Sequence, residues 1–298
     1  MMKPMLSLRI LACALGGAVA ALTLMAGGAF GAGVLAQDRS GAITLAQQRQ
    51  QSNPFSALVG ERRERRADRQ LGAVERYVLA ADNRAFLIEA RTRTARVKFL
   101  CGPDDQRLDC TLDPQAPAPE IYLLTVTRGP RGDSIFKNAD GETLVRIASY
   151  GGATVQWPGD NAGSAASKSF GDDHAVALPA VGFEAAERRA KAATAIISAL
   201  TGSPIIFDLA PPAPDEETDA SVLADAILRT TIGVRAVAGD ASGARILGDR
   251  IARVLFETGT APDARFEDNA LIIEYVPDQD ISGRLSSRAV ERFLEESL

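Results

Sequence analysis

Between Val74 and Trp157 apolar and polar residues alternate with a period of two, and nothing else in the chain constrains the fold as strongly. The runs V-E-R-Y-V-L, A-F-L-I-E-A, A-R-V-K-F-L-C, L-D-C-T-L, I-Y-L-L-T-V-T, S-I-F-K, T-L-V-R-I-A-S and A-T-V-Q-W are short and rich in β-branched and aromatic residues. Turn-forming strings separate them: A-D-N-R, G-P-D-D, G-P-R-G-D, N-A-D-G and Y-G-G. A period of two places one side of each run in a core, and turns of this chemistry reverse the chain between neighbours. Seven or eight such strands over 72–158 predict an antiparallel meander closing into a small barrel or sandwich.

Downstream the pattern changes. Residues 159–181 are dominated by small and polar side chains and read as a loop or linker, longer than a simple connection requires. Residues 182–298 carry a helical period. Phe183, Ala186, Ala190, Ala193, Ile197 and Leu200 form one apolar stripe that stops at Gly202. P-I-I-F-D reads as a short strand, and Asp219 as the cap of a helix with Leu223, Ile227, Thr230, Val234 and Val237 on its buried side. A further helix is expected to carry Leu247, Ile251, Val254 and Leu255 as far as Gly259. A-L-I-I-E-Y-V then reads as a strand, and S-S-R-A-V-E-R-F-L-E-E-S-L as a last helix. The expected class is α+β: a β domain followed by a helix-rich domain with about two strands.

The first 36 residues read as an export signal. Lys3 and Arg9 precede 27 uncharged residues from Ile10 to Ala36, and Val34-Leu35-Ala36 before Gln37 fits the small-x-small cleavage rule. The uncharged run is also long enough to span a bilayer, so an inner-membrane anchor is the alternative. Either way the rest of the chain is expected outside the inner membrane, in the periplasm. Residues 37–71 read as a polar linker and a charged helix, E-R-R-E-R-R-A-D-R-Q, whose acids and bases interleave at helical spacing. That run pairs with itself, or else meets an anionic surface. Removing Lys3 and Arg9 with the leader leaves 31 basic against 38 acidic residues, which argues against nucleic acid as a partner. Cys101 and Cys110 survive processing, and an even count in an exported chain predicts a disulfide, here across a hairpin.

Several strings imitate functional motifs. Arg131-Gly132-Asp133 has the letters of an adhesion signal, yet Gly129-Pro130 and Gly132 are what a tight hairpin connection needs. Ser134 and Lys137 have serine-acyltransferase spacing, but on a strand an odd spacing sends the two side chains to opposite faces. Asn138-Ala139-Asp140-Gly141 lacks the acid that a calcium loop would place at Phe136. His174 is the only histidine and adjoins Asp172 and Asp173, a candidate base and its orienting carboxylates. No G-x-S-x-G accompanies it, and a zinc site would need more nitrogen or sulfur ligands. Tyr150 and Trp157 flank Gly151-Gly152 and mark the best place to seek a pocket, core packing being the plainer reading of both.

G-P-R-G-D, N-A-D-G, the run L-V-R-I-A-S-Y-G-G-A-T-V and the late G-R-L-S-S-R together resemble a family of exported alphaproteobacterial proteins defined as a domain of unknown function. Leu285 stands where that pattern has proline after the arginine. The resemblance implies a bacterial envelope context and transfers no functional residue.

These readings converge on an exported, non-enzymatic module binding an envelope component or partner protein, with Arg131, Asp133, Tyr150, Trp157 and His174 as candidate contacts. No catalytic residue, metal or cofactor is assigned. The alternative is an envelope hydrolase working through carboxylates or His174.

Overall fold

A computed structural model describes residues 72–160, 162–170, 176–210 and 219–298. The leader, the linker with its charged helix, and His174 with Asp172 and Asp173 lie outside the described residues.

Eight strands run up and down and close on themselves: β1 (Val74–Leu79), β2 (Ala85–Ala90), β3 (Thr94–Phe99), β4 (Ile121–Arg128), β5 (Ser134–Lys137), β6 (Thr143–Ile147), β7 (Ala153–Gln156) and β8 (Gly163–Ser169). The alternation that predicted strands also sets the register. Tyr77 pairs with Phe86, Phe86 with Phe99, Val97 with Tyr122, Val126 with Phe136, Phe136 with Val145, and Val145 with Val155. One inward set of side chains therefore runs round the barrel. These residues fill its interior together with Leu79, Ile88, Leu124 and Trp157, so the barrel holds a packed core, as closed sheets of eight strands commonly do.

Three expectations for this half need correction. L-D-C-T-L is not a strand but a one-turn helix, α1 (Leu108–Thr111). Pro114, Pro117 and Pro119 follow it and deny a ladder its donors, while Asp109 turns inward to accept from the Glu120 amide at 2.9 Å. The disulfide between Cys101 and Cys110 is present, but it ties the end of β3 to α1 rather than bridging two strands. The eighth strand instead lies within the stretch read as a loop or linker. G-S-A-A-S-K-S has little strand propensity, but only this segment can satisfy the free edges of both β7 and β1, and it pairs with both. Its small residues suit the place: a Cβ on Gly163 would come within 3.1 Å of Thr154 Cγ2.

The second half contains α2 (Phe183–Thr201), β9 (Ile206–Leu209), α3 (Ser221–Val237), α4 (Ala241–Arg250), β10 (Arg253–Thr258), β11 (Asp263–Glu267), β12 (Ala270–Tyr275), a 3-10 segment (Pro277–Gly283) and α5 (Ser287–Ser297). The sheet order is β11-β12-β10-β9, with β9, β10 and β12 parallel and β11 antiparallel to β12. Gly202 ends α2 in the left-handed region at φ 70°. The expected helix through Val254 and Leu255 is divided: α4 stops at Arg250, Ile251 turns extended, and V-L-F becomes β10. Val254 and Phe256 point into the core from one side of that strand, a period of two hidden inside an apolar run. Four strands thus replace the expected two.

Candidate functional site

The two halves meet across a buried ionic layer. On the barrel side, Arg107 donates to the carbonyls of Phe99 and Leu100 and to Asp105. This pins the segment from Cys101 to Glu120, which brings Asp109, Asp113 and Glu120 inward, all buried. On the other side α3 is buried around nearly its whole circumference and carries Asp225 and Arg229 one turn apart. Arg229 donates to Asp225 at 2.9 and 3.1 Å and to the Ala118 carbonyl, and its third nitrogen faces Glu120 at 3.5 Å and Asp109 at 3.9 Å. Arg284 donates to the other Asp225 oxygen at 2.6 Å and to the Ile121 carbonyl at 3.3 Å. Arg189 from α2 reaches the Ala116 carbonyl at 2.8 Å.

Burial would raise the Asp225 carboxyl, but Arg229 and Arg284 together overcome it and hold the group below the usual carboxylate range. Burial likewise opposes the charge on Arg229, and Asp225, Glu120 and Asp109 more than restore it. Every charge in the layer has an opposite neighbour, which is the condition under which buried charges persist.

A cleft of about 290 Å³ opens beside this layer, between β4, the turn from Asn138 to Gly141 and the start of α5. Its lining mixes apolar Ile121, Leu123, Ile281 and Leu285 with the buried charges of Glu120 and Arg284 and with Asp140, Arg288 and Arg292. Arg284, Leu285, Ser286 and Arg288 form one wall, and the residues of the stretch Gly283 to Arg288 have distinct parts. Gly283 packs so closely that a Cβ would sit 2.1 Å from the Val276 carbonyl oxygen. Arg284 enters the ionic layer. Ser286 caps α5 by accepting from the Ala289 amide, and Ser287 donates its amide and hydroxyl to Glu120 at 3.1 and 2.5 Å. Arg292 pairs with Asp140 at 2.5 Å, and Arg288 with Glu291 at 2.9 Å. A second depression of about 330 Å³ continues along the outer face of β3 and β4, sharing Leu123, Asn138 and Ala139. Leu123 is half exposed where the two join.

The residues singled out from sequence do not gather here. An up-and-down barrel sends alternate turns to opposite ends. Arg131 and Tyr150 sit exposed on the β4–β5 and β6–β7 turns at one end. Trp157 is buried at the other, edge-on to Phe99 and beneath the guanidinium of Arg84 at 4.6 Å. Asp133 joins the two turns: it accepts from Arg146 at 2.5 and 3.0 Å and from the Ser149 amide at 3.3 Å. The Arg146 hydrogen bond first, and the Ser149 amide with it, hold that carboxyl below its ordinary range.

Glu120, Asp225, Arg229 and Arg284 went unnoticed in the sequence. A signal was available in V-L-A-D-A-I-L-R-T-T-I, where two opposite charges one helical turn apart interrupt an otherwise buried run. Among the described residues no cluster of three or more potential metal ligands occurs, and no helix is long and apolar enough to cross a membrane.

Fold and cleft together define an α+β protein in which a filled, closed antiparallel barrel is joined through buried ion pairs to a small α/β layer. The chain belongs to the family described as Domain of unknown function (DUF4908), whose model matches residues 54–294. No curated protein and no solved structure matches it.

Proposed function

We propose that this is an exported periplasmic binding module, without catalysis of its own, that holds an envelope component or a segment of a partner protein in the cleft between β4 and α5. One observation carries the reading: the cleft sets apolar side chains beside polar ones, while its reactive-looking groups are already committed to one another. The Ser287 hydroxyl faces a carboxylate, but Glu120 also accepts from the Ser287 amide and neighbours Arg229. It therefore serves as an anionic cap on α5 and has no free role as a base. Asp140 is likewise engaged by Arg292. A site of this kind offers shape and hydrogen bonds rather than proton transfer. The disulfide is compatible with an oxidising compartment, and the leader before Gln37 supplies the route.

Ala139 borders both depressions, so Ala139→Trp should block them without touching the ionic layer. A solubilised envelope fraction is expected to raise the melting temperature of the parent protein and leave that of Ala139→Trp unchanged. An equal shift in both would place binding elsewhere. Turnover of an envelope polymer by the purified protein would overturn the non-catalytic reading. N-terminal sequencing of the exported protein should begin at Gln37.

A further inference from the structure

We propose that the end of the barrel remote from the cleft docks on an anionic lipid surface. This surface is independent of the ligand reading of the cleft and rests on different residues. The β2–β3, β4–β5 and β6–β7 turns gather there with the end of β8 and the start of β1, because the strands alternate in direction. Ala153 pairs with Ala166, so the chain running back to Tyr150 and on to Phe170 emerges from β7 and β8 on one side.

These two aromatic residues are 89% and 93% exposed, the highest values among the large exposed apolar residues. An aromatic side chain standing free in water is unfavourable unless something covers it, and aromatic rings are favoured at the boundary between headgroups and acyl chains. Basic residues lie at the same end. Arg146 pairs with Asp133 and Lys168 with Glu75. Arg93, Arg128 and Arg131 are exposed and make no ion pair with any described residue. The chain as a whole carries a formal charge of −5, so three unpaired arginines among the described residues of this end form a local excess of positive charge. It complements a layer of anionic headgroups.

Gly132 at φ 80° and Gly151 at φ 101° shape the two tips into tight turns. Asp133 ties them together through Arg146 and the Ser149 amide, so Arg131 and Tyr150 belong to linked tips. In this arrangement the clamp at Asp133 and the contact at Arg131 are separate roles within one string.

The chain's single tryptophan, Trp157, lies at the opposite end of the barrel and provides an internal control. In the full chain carrying Phe170→Trp, fluorescence is measured with vesicles of brominated phosphatidylcholine containing about a third phosphatidylglycerol, a composition chosen to mimic an anionic leaflet. The variant should be quenched and the parent, reporting only Trp157, should not. Adding Arg93→Gln, Arg128→Gln and Arg131→Gln should weaken the contact about fivefold for each arginine, about a hundredfold together, with the melting temperature unchanged. Absence of quenching at position 170 would overturn the proposal and leave this end to a protein partner. Equal quenching on purely neutral vesicles would also overturn it, since the arginines would then play no part and Asp172 and Asp173, which follow Phe170 in sequence, could offset them.

Discussion

Replacing Asp225 by alanine removes the one acceptor that Arg229 and Arg284 share. Arg229 would keep the Ala118 carbonyl and its neighbours Glu120 at 3.5 Å and Asp109 at 3.9 Å. Arg284 would keep only backbone carbonyls, those of Ile121 at 3.3 Å and Leu285 at 3.4 Å, and would be left as a buried cation without a counter-ion. Breaking a buried pair from one side in this way costs about 3–5 kcal/mol. For a unit of the size of residues 52–298, that lowers the melting temperature by about 6–20 °C at 2–4 °C per kcal/mol. Urea melts followed by circular dichroism in oxidising buffer measure it directly. The quadruple replacement Asp225→Leu, Arg229→Met, Arg284→Met, Glu120→Gln removes two charges of each sign together, leaves Asp109 to Arg107, and should cost far less than the single change, because the desolvation cost disappears with the attraction.

Acid provides a second reading of the same layer. The Asp225 carboxyl is held below its unfolded value, so as pH falls the unfolded chain takes up its proton first. The contribution of Asp225 is therefore complete above about pH 4, the unfolded value, and is lost as acid approaches the lower native one. Should Asp225→Ala cost less than about 1 kcal/mol, the surface-pair figure, the layer would have to be wet and the account of how the halves are joined would fail.

Two further changes probe other joints. Cys101→Ser with Cys110→Ser should cost about 2–3 kcal/mol through the loop that the disulfide closes, and hydrogen exchange should rise from Cys101 to Glu120 first; free thiols in the protein isolated from cells would remove the premise. Gly233→Ala ordinarily strengthens a helix, but here a Cβ would lie 2.7 Å from the Ser287 carbonyl oxygen and 2.8 Å from Val290 Cβ. A loss of about 1–3 kcal/mol is expected from overpacking α3 against α5, and unchanged stability in a thermal melt would show that the two helices can separate.

Seven strands of the barrel were legible because Tyr77, Phe86, Val97, Phe136 and their partners alternate on strands that each bury one face. β8 was not, because its letters are small and polar and it becomes a strand only by standing between two edges already formed. β10 was hidden for another reason: Leu247, Ile251, Val254 and Leu255 satisfy a helical period as well as an alternating one, and short apolar runs permit both. The candidate contacts fared according to what they needed. Arg131 and Asp133 were correctly placed on a turn, since glycine and proline determine turns locally. The idea that Tyr150 and Trp157 might share a pocket failed because seven residues of an up-and-down barrel carry the chain from one end to the other.

What the sequence determined by itself was local and periodic: the alternation that makes a β half, the apolar stripe of α2, the glycine stop at Gly202, and a cysteine pair close enough to bridge. Closure of the barrel, the sheet order β11-β12-β10-β9, the meeting of Asp225 with Arg284 across 59 positions and of Glu120 with Ser287 across 167, and the cleft beside them were decided only in three dimensions. The physical reason is that alternation and capping act between near neighbours in the chain, whereas a buried charge is tolerated or not according to whichever distant residue packing brings within 3 Å.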